Sequence, residues 1–188
     1  PAVRDRAWFY LARIRHQRGL LVPAMEALSR ISAPLQGPLE DDRQLLHAQV
    51  LLAQQDYAGA AAVLEAFKGS AEAGQFARFN LGVAWVKAGE TERGMALLEA
   101  VGQAPASSEG QRSLRDRANV ALGFVALQGK KPREARAALQ RVRLASTQSN
   151  KALLGFGWAA TELNDPQLAI APWAELARVF GEIRPVAV

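Results

Sequence analysis

Residues 80–94 read Asn80-Leu81-Gly82-Val83-Ala84-Trp85-Val86-Lys87-Ala88-Gly89-Glu90-Thr91-Glu92-Arg93-Gly94. A small residue, Gly82, is followed twelve positions later by another, Gly94. Leu98 and Val101, four and seven positions beyond Gly94, fall on one face of a helix. The same pattern recurs as Ala12/Ala24/Leu28/Ile31, Ala48/Ala60/Leu64/Phe67, Gly123/Ala135/Leu139/Val142 and Gly157/Ala169/Trp173/Leu176. Small residues let two antiparallel helices touch closely, and the larger ones at +4 and +7 fill the groove toward an adjacent pair. One size rule obeyed in five sets predicts five helical hairpins, about ten helices, and an all-α fold.

Local signals agree with this reading. Gly19, Gly89 and Gly129 sit where the first helix of a pair should end. Thr91, Ser149 and Asp165 can cap the helices that follow, and Pro132 and Pro166 suit first helical turns. Nothing alternates with period two for long enough to argue a strand. The sets recur at intervals of 36, 34, 41 and 34 residues. The long third interval contains the turn-rich residues 104–113, which either extend the next first helix backwards or form a loop.

Composition narrows the chemistry. The chain has 188 residues, 49% hydrophobic and 22% charged, which excludes a disordered polymer. No 18-residue stretch lacks charges or strong breakers, so no transmembrane helix is expected. There is no cysteine, which removes disulfides, thiol catalysis and Cys-ligated zinc. His16 and His47 lack metal-ligand spacing to each other or to carboxylates, and Glu40, Asp41 and Asp42 read as carboxylates favouring a helix N-terminus. The glycines form no phosphate-cradling loop. No catalytic residues, metal site or cofactor are therefore expected, and the chain reads as a non-enzyme.

Several stretches carry a family resemblance: Trp8-x-x-Leu11-Ala12, Asp56-Tyr57-Ala58-Gly59-Ala60, Leu81-Gly82-x-x-Trp85, Ala104-Pro105 and Lys131-Pro132-Arg133-Glu134-Ala135. They resemble the tetratricopeptide repeat (TPR) family, whose unit of about 34 residues carries W-x2-L-G-x2-Y, then A-x3-F, then P. The resemblance spans residues 4–180. It implies a right-handed α-solenoid forming one repeat domain over residues 1–188, with repeats near 5–36, 41–72, 75–107, 112–146 and 150–180. It also implies a concave face lined by the first helix of each pair.

Register selects the side chains for that face. They are Phe9, Tyr10, Arg13 and His16; Leu45, Gln49 and Leu52; Phe76, Phe79, Asn80, Val83 and Lys87; Arg117, Val120, Phe124 and Gln128; and Lys151, Leu154, Trp158 and Glu162. Phe79, Asn80, Val83, Arg117, Phe124, Lys151 and Trp158 form the candidate peptide-binding set, since aromatic and arginine side chains are the usual interface anchors. The alternative is that the rings pack between neighbouring helices. One branch of the family grips a peptide's terminal carboxylate through Lys, Asn and Arg. The matching positions here are Leu45, Gln49, Asn80, Arg117 and Ala121, and only Asn80 agrees outright. An amphipathic helix or extended apolar segment is expected instead.

The net charge of +5 is unevenly spread. Segments 1–70, 71–110, 111–150 and 151–188 sum to +1, −2, +7 and −1. Arg112, Arg115, Lys130, Lys131 and Arg133, with Arg117, Arg136, Arg141 and Arg143, form a basic patch. It suits an acidic partner, nucleic acid or an anionic surface, or else is a solvated helix face. The expected function is a protein-interaction scaffold that holds a peptide or helical segment of a protein partner. The alternatives are anion binding through residues 111–150, with nucleic acid the less favoured partner, or a positioning arm of a larger enzyme. The fifth copy ends at Phe180 with only a short apolar tail beyond, so a piece of a longer bacterial repeat protein is expected. Unfinished ends also allow self-association or docking of flanking domains. The compartment leans toward the periplasm or cell envelope, with the cytoplasm as the alternative.

Overall fold

Each hairpin is closed by the same turn. One residue in it adopts the left-handed conformation: Gly19 (φ 74°), Gln55 (φ 64°), Gly89 (φ 94°), Lys130 (φ 58°) and Asn164 (φ 57°). Its N–H donates to the carbonyl three residues back, at 2.9–3.2 Å. The next N–H donates five residues back: Leu20 to Arg15, Asp56 to Leu51, Glu90 to Trp85, Lys131 to Ala126 and Asp165 to Ala160, at 2.8–3.0 Å. This paired bonding is the Schellman closure of a helix, which satisfies carbonyls that the helix end would otherwise orphan. Gly129 ends the fourth first helix as the sequence predicts, but as its cap rather than its left-handed residue. Gly129 has φ −79°, and Lys130 takes the left-handed place.

The computed structural model of the chain describes residues 2–181. The elements are α1 (Ala2–Gln17), α2 (Leu21–Ser29), α3 (Pro38–Ala53), α4 (Tyr57–Glu65), α5 (Ala71–Lys87), α6 (Thr91–Gln103), α7 (Glu109–Gln128), α8 (Pro132–Leu139), α9 (Ser149–Glu162) and α10 (Pro166–Gly181). Among the described residues there is no strand. The all-α class and the ten helices are as the sequence predicts. The expectation attached to the C-terminal tail falls on residues 182–188, outside the described residues, as does Pro1.

The seven surplus residues before the fourth hairpin do both things the sequence allowed. A short link precedes Glu109, and α7 runs 20 residues, longer than any other helix described. Two of the expected caps are corrected: Thr91 and Ser149 are already inside α6 and α9. The side chains that accept helix N–H groups are Asp56 from Gly59, Ser70 from Ala73 and Ser108 from Gln111, at 2.9, 3.3 and 3.2 Å. Gln111 returns its side-chain oxygen to the Ser108 N–H, completing a capping box. Pro132 and Pro166 do open their helices.

The small residues lie at the hairpin contacts. Ala12, Ala24, Ala48, Ala60 and Ala135 are fully inaccessible, and Gly82, Gly94, Gly123 and Gly157 are buried. A Cβ added at Gly94 would stand 2.6 Å from the Gly82 carbonyl oxygen and 2.8 Å from the Val86 nitrogen. The backbone of α6 thus rests directly on that of α5, and no larger residue fits there without moving main chain.

The chain divides into two compact units, residues 1–97 and 98–188. In the first, Phe9, Ala12, Ala24, Leu28, Leu46 and Val50 knit α1, α2 and α3 into one core. Ala48, Leu64, Ala77 and Leu81 do the same for α3, α4 and α5. In the second, α7 packs on α8, α8 on α9 and α9 on α10, with Leu114, Leu122, Leu139 and Ala159 buried.

An aspartate seven residues before the small residue recurs in three first helices. Asp5 accepts from the Ser32 hydroxyl at 2.8 Å and its N–H at 3.3 Å. Asp41 accepts from the Ser70 N–H at 2.9 Å. Asp116 accepts from the Arg143 N–H at 3.2 Å and its Nε at 2.9 Å. Each carboxylate tethers the chain leaving the second helix back to the start of the first. Asp41 thus lies in the first turn of α3, as the sequence predicts for a helix-end charge, and also ties that turn to the chain leaving α4.

The close contact and the turn make opposite predictions. Gly94→Ala forces its Cβ against backbone and is expected to lower stability by roughly 1–3 kcal/mol. Gln55→Gly relieves a left-handed side-chain residue and is expected to be neutral or stabilising by up to about 1 kcal/mol. Chemical denaturation followed by far-ultraviolet dichroism measures both, and a stabilised Gly94→Ala contradicts the direct backbone contact.

Candidate partner-binding surfaces

In the first unit, the faces of α1 and α3 enclose an open cleft of about 400 Å³. Its walls include Phe9, Arg13, His16 and Gln17 from α1 and Asp42, Leu45 and Gln49 from α3. The register argument selects five of these; Gln17 and Asp42 it missed. Helical spacing puts Phe9, Arg13 and His16 on one side of α1. The Arg13 guanidinium lies 5.6 Å from the Phe9 ring centroid and 5.0 Å from that of Tyr10, and the two rings meet edge-to-face at 5.3 Å. Stacking holds the cation over an apolar floor while leaving its donors open to an acceptor.

In the second unit, Phe124 of α7 is half-buried and Trp158 of α9 is 45% exposed. Their rings meet edge-to-face with centroids 6.1 Å apart. Phe124 reaches α9 because Gly155 leaves room: a Cβ there would stand 3.2 Å from two of its ring carbons. Arg117 and Lys151 are exposed, each seven residues before its aromatic on the same helix. Seven residues is two turns, so a cationic pair lies about 10 Å along the helices from the aromatic pair.

Other expected site residues are placed differently. Phe79 and Asn80 are each only 8% exposed, and Val83 is half-buried. Burial takes Asn80, the one position that agreed with carboxylate clamping, out of an open surface.

The basic stretch 111–150 is paired with carboxylates both inside it, Asp116 and Glu134, and outside it, Glu99, Glu109 and Glu162. Arg143 binds Glu109 at 2.9 Å and Asp116 at 2.7 Å, Arg112 binds Glu109 at 3.0 Å, and Arg141 binds Glu99 at 2.8 Å. Lys130 lies 3.6 Å from Glu162, Lys131 4.0 Å from Glu134, and the Arg115 Nε donates to the Gly102 carbonyl at 3.4 Å. Arg133 is exposed on α8. Asn119, buried beside this cluster, donates to the Gly102 carbonyl at 3.0 Å and accepts from Arg141 at 3.2 Å. The segment thus serves as a set of internal clasps, with a smaller cationic surface than its sum of +7 suggests.

These pairings shift titration. Hydrogen bonds from Arg143 and then Arg112 pull Glu109 down to about 2. Against the upward push of burial, Arg43, Gln44 and the Leu35 N–H hold Glu40 near 2 as well. Burial, and then Arg43, lower the affinity of His47 for a proton, which favours its neutral form. Among the described residues no three His, Asp or Glu side chains are arranged to hold a metal ion, and no described helix is long and apolar enough to cross a membrane.

Residues 45–108 and 120–185 match the sequence profile of the tetratricopeptide repeat. The chain belongs to the tetratricopeptide repeat family. No curated protein sequence matches it closely enough to count as a relative. Its fold is similar to that of MamA (residues 41 to the end) from Desulfovibrio magneticus RS-1, with TM-score 0.69, 14% identity, and 97% of this chain and 98% of that one covered. It is also similar to the nearly identical TPR-like repeats ascribed to a kinesin light chain of Podosopora anserina, with TM-score 0.71, 15% identity and 98% of each chain covered. At such identities the likeness speaks for the tetratricopeptide fold alone. Proteins of this family are in general non-enzymatic protein–protein interaction scaffolds.

The depressed carboxylates set a pH dependence. A carboxyl held near 2 when folded, against 4.5 ordinarily, adds stability above pH about 4.5 and loses it as pH falls toward 2. Thermal melts across that window are expected to show Glu40→Gln and Glu109→Gln losing less stability on acidification than the parent chain. Equal acid sensitivity in all three contradicts the assignment.

Proposed function

We propose that the chain is a non-enzymatic scaffold that binds an acidic, amphipathic segment of a protein partner along first-helix faces. The supporting observation is the Phe124–Trp158 pair, with Arg117 and Lys151 two turns away along the same two helices. The exposed Trp158 ring, backed by half-buried Phe124, and cations two turns away form a surface suited to an apolar anchor and a carboxylate about 10 Å apart. An extended partner spans that separation with three residues, and a helical one with seven. The cleft of the first unit offers a second position of similar chemistry, where Arg13 and His16 face Asp42 and Gln49 across an apolar floor. Rigid helices hold these groups in place before binding, which limits the entropy lost on association.

Selection from a random peptide library displayed on phage tests this reading. Selected peptides are expected to pair an apolar residue with an acidic one and to bind the purified chain in solution. Trp158→Ala and Phe124→Ala each remove an interface anchor and are expected to weaken binding roughly tenfold or more, the usual scale for a hot spot. Peptides without acidic residues, or equal binding by the Phe124→Ala/Trp158→Ala chain, overturn the proposal.

A further inference from the structure

Within the second unit α7 packs on α9, and the two helices match level by level. Six residues before the small residues Gly123 and Gly157 stand Arg117 and Lys151, and three before stand Val120 and Leu154. One residue after them stand Phe124 and Trp158, and five after stand Gln128 and Glu162. Helical spacing puts these four places on one stripe of each helix. Each level thus repeats its chemistry on both helices: cations, aliphatic groups, aromatic rings, then side chains with acceptor oxygens. Arg117, Lys151, Leu154, Trp158, Gln128 and Glu162 are exposed.

The face therefore has two different ends. At 1.5 Å per residue the cations lie about 10 Å to one side of the rings and Glu162 about 6 Å to the other. Glu162 stands 3.6 Å from the Lys130 Nζ, but the Lys130 side chain is 83% exposed. A pair this open to water contributes little and yields to another cation. On α1 and α3 the order is absent: six residues before Ala12 and Ala48 stand Arg6 and Asp42, which carry opposite charges.

We infer that the partner segment of the second unit is bipolar. An acidic residue lies against Arg117 and Lys151, apolar residues lie against Leu154 and the rings, and a basic residue lies against Glu162. A helical segment matches this face, because its rise equals that of α9 and its side chains return to one face at the same steps. The inference rests on the peptide-binding reading above and adds to it a second charge, of opposite sign, at a fixed place.

Fluorescence anisotropy of three labelled, alanine-rich helical peptides on the purified chain tests it. Each carries two Leu residues flanked by two variable places, at the steps that separate Lys151, Leu154, Trp158 and Glu162. The variable places are Glu and Lys, Glu and Glu, or Gln and Gln. The Glu/Lys peptide is expected to bind tightest, ahead of Glu/Glu by about two- to fivefold, the scale of an exposed ion pair. Glu162→Lys, at an exposed site, is expected to keep the parent's melting temperature and to reverse that order. Should it fail to fold, Glu162→Gln replaces it and is expected to erase the preference. Glu/Glu binding as well as Glu/Lys, or an order that survives the change at Glu162, overturns the inference. If that binding is still lost in Phe124→Ala/Trp158→Ala, the peptide-binding reading stands without it. No binding, or binding that ignores both the charges and the two rings, overturns both.

Discussion

The left-handed turn with its five-residue hydrogen bond governs the rest of this molecule. It fixes how many residues separate the two helices of a hairpin, and therefore which residues touch. Counting from the left-handed residue, the small residue of the first helix is always seven before and that of the second always five after: Ala12, Gly19 and Ala24 in the first hairpin, Gly157, Asn164 and Ala169 in the last. The twelve-residue spacing is the length of this turn expressed as a contact. Once the turn is set, a bulky residue at either small position would drive the helices apart, and the +4 leucine would lose the groove it fills.

The turn itself tolerates more than its contacts do. Three of its five left-handed residues, Gln55, Lys130 and Asn164, are not glycine. A left-handed side-chain residue costs on the order of 1–2 kcal/mol, and two hydrogen bonds and a hairpin's burial offset it. Backbone contact across Gly82 and Gly94 has no comparable compensation, because main-chain atoms, the Gly82 carbonyl oxygen and the Val86 nitrogen, stand at the point of overlap. Size at the contact is the stricter rule, and turn composition the looser one.

That difference decides what was legible in the sequence. Five hairpins were readable because the strict rule leaves a trace in residue size at each copy. Gly129 does end α7 as its cap, but the left-handed place was not legible, because the turn accepted Lys130 there. Asp5, Asp41 and Asp116 went unread as tethers, since their partners lie 27–29 residues away and a carboxylate near a helix start has a simpler explanation. The register of the small residues was the signal that could have found them. The basic patch misled for a related reason. Charges summed along 111–150 leave out Glu99, Glu109 and Glu162, which the fold brings to that segment from either side in sequence. The register also placed Phe79 and Asn80 on a helix face without showing that it is covered.

Every hairpin in a stack has two faces to cover. Each hairpin offers one face to its predecessor and another to its successor, and it cannot bury both alone. The same side-chain class therefore means different things at different places: Val50 in α3 is core, and Ile14 in the same register of α1 is surface. Trp173 shows a partial answer to this demand. It stands where other hairpins carry leucine, lies over Gly157 of its own hairpin, and brings its indole N–H to 3.5 Å from the Leu154 carbonyl. A ring covers more of its own hairpin than a leucine would, yet its outer surface stays exposed to a neighbour.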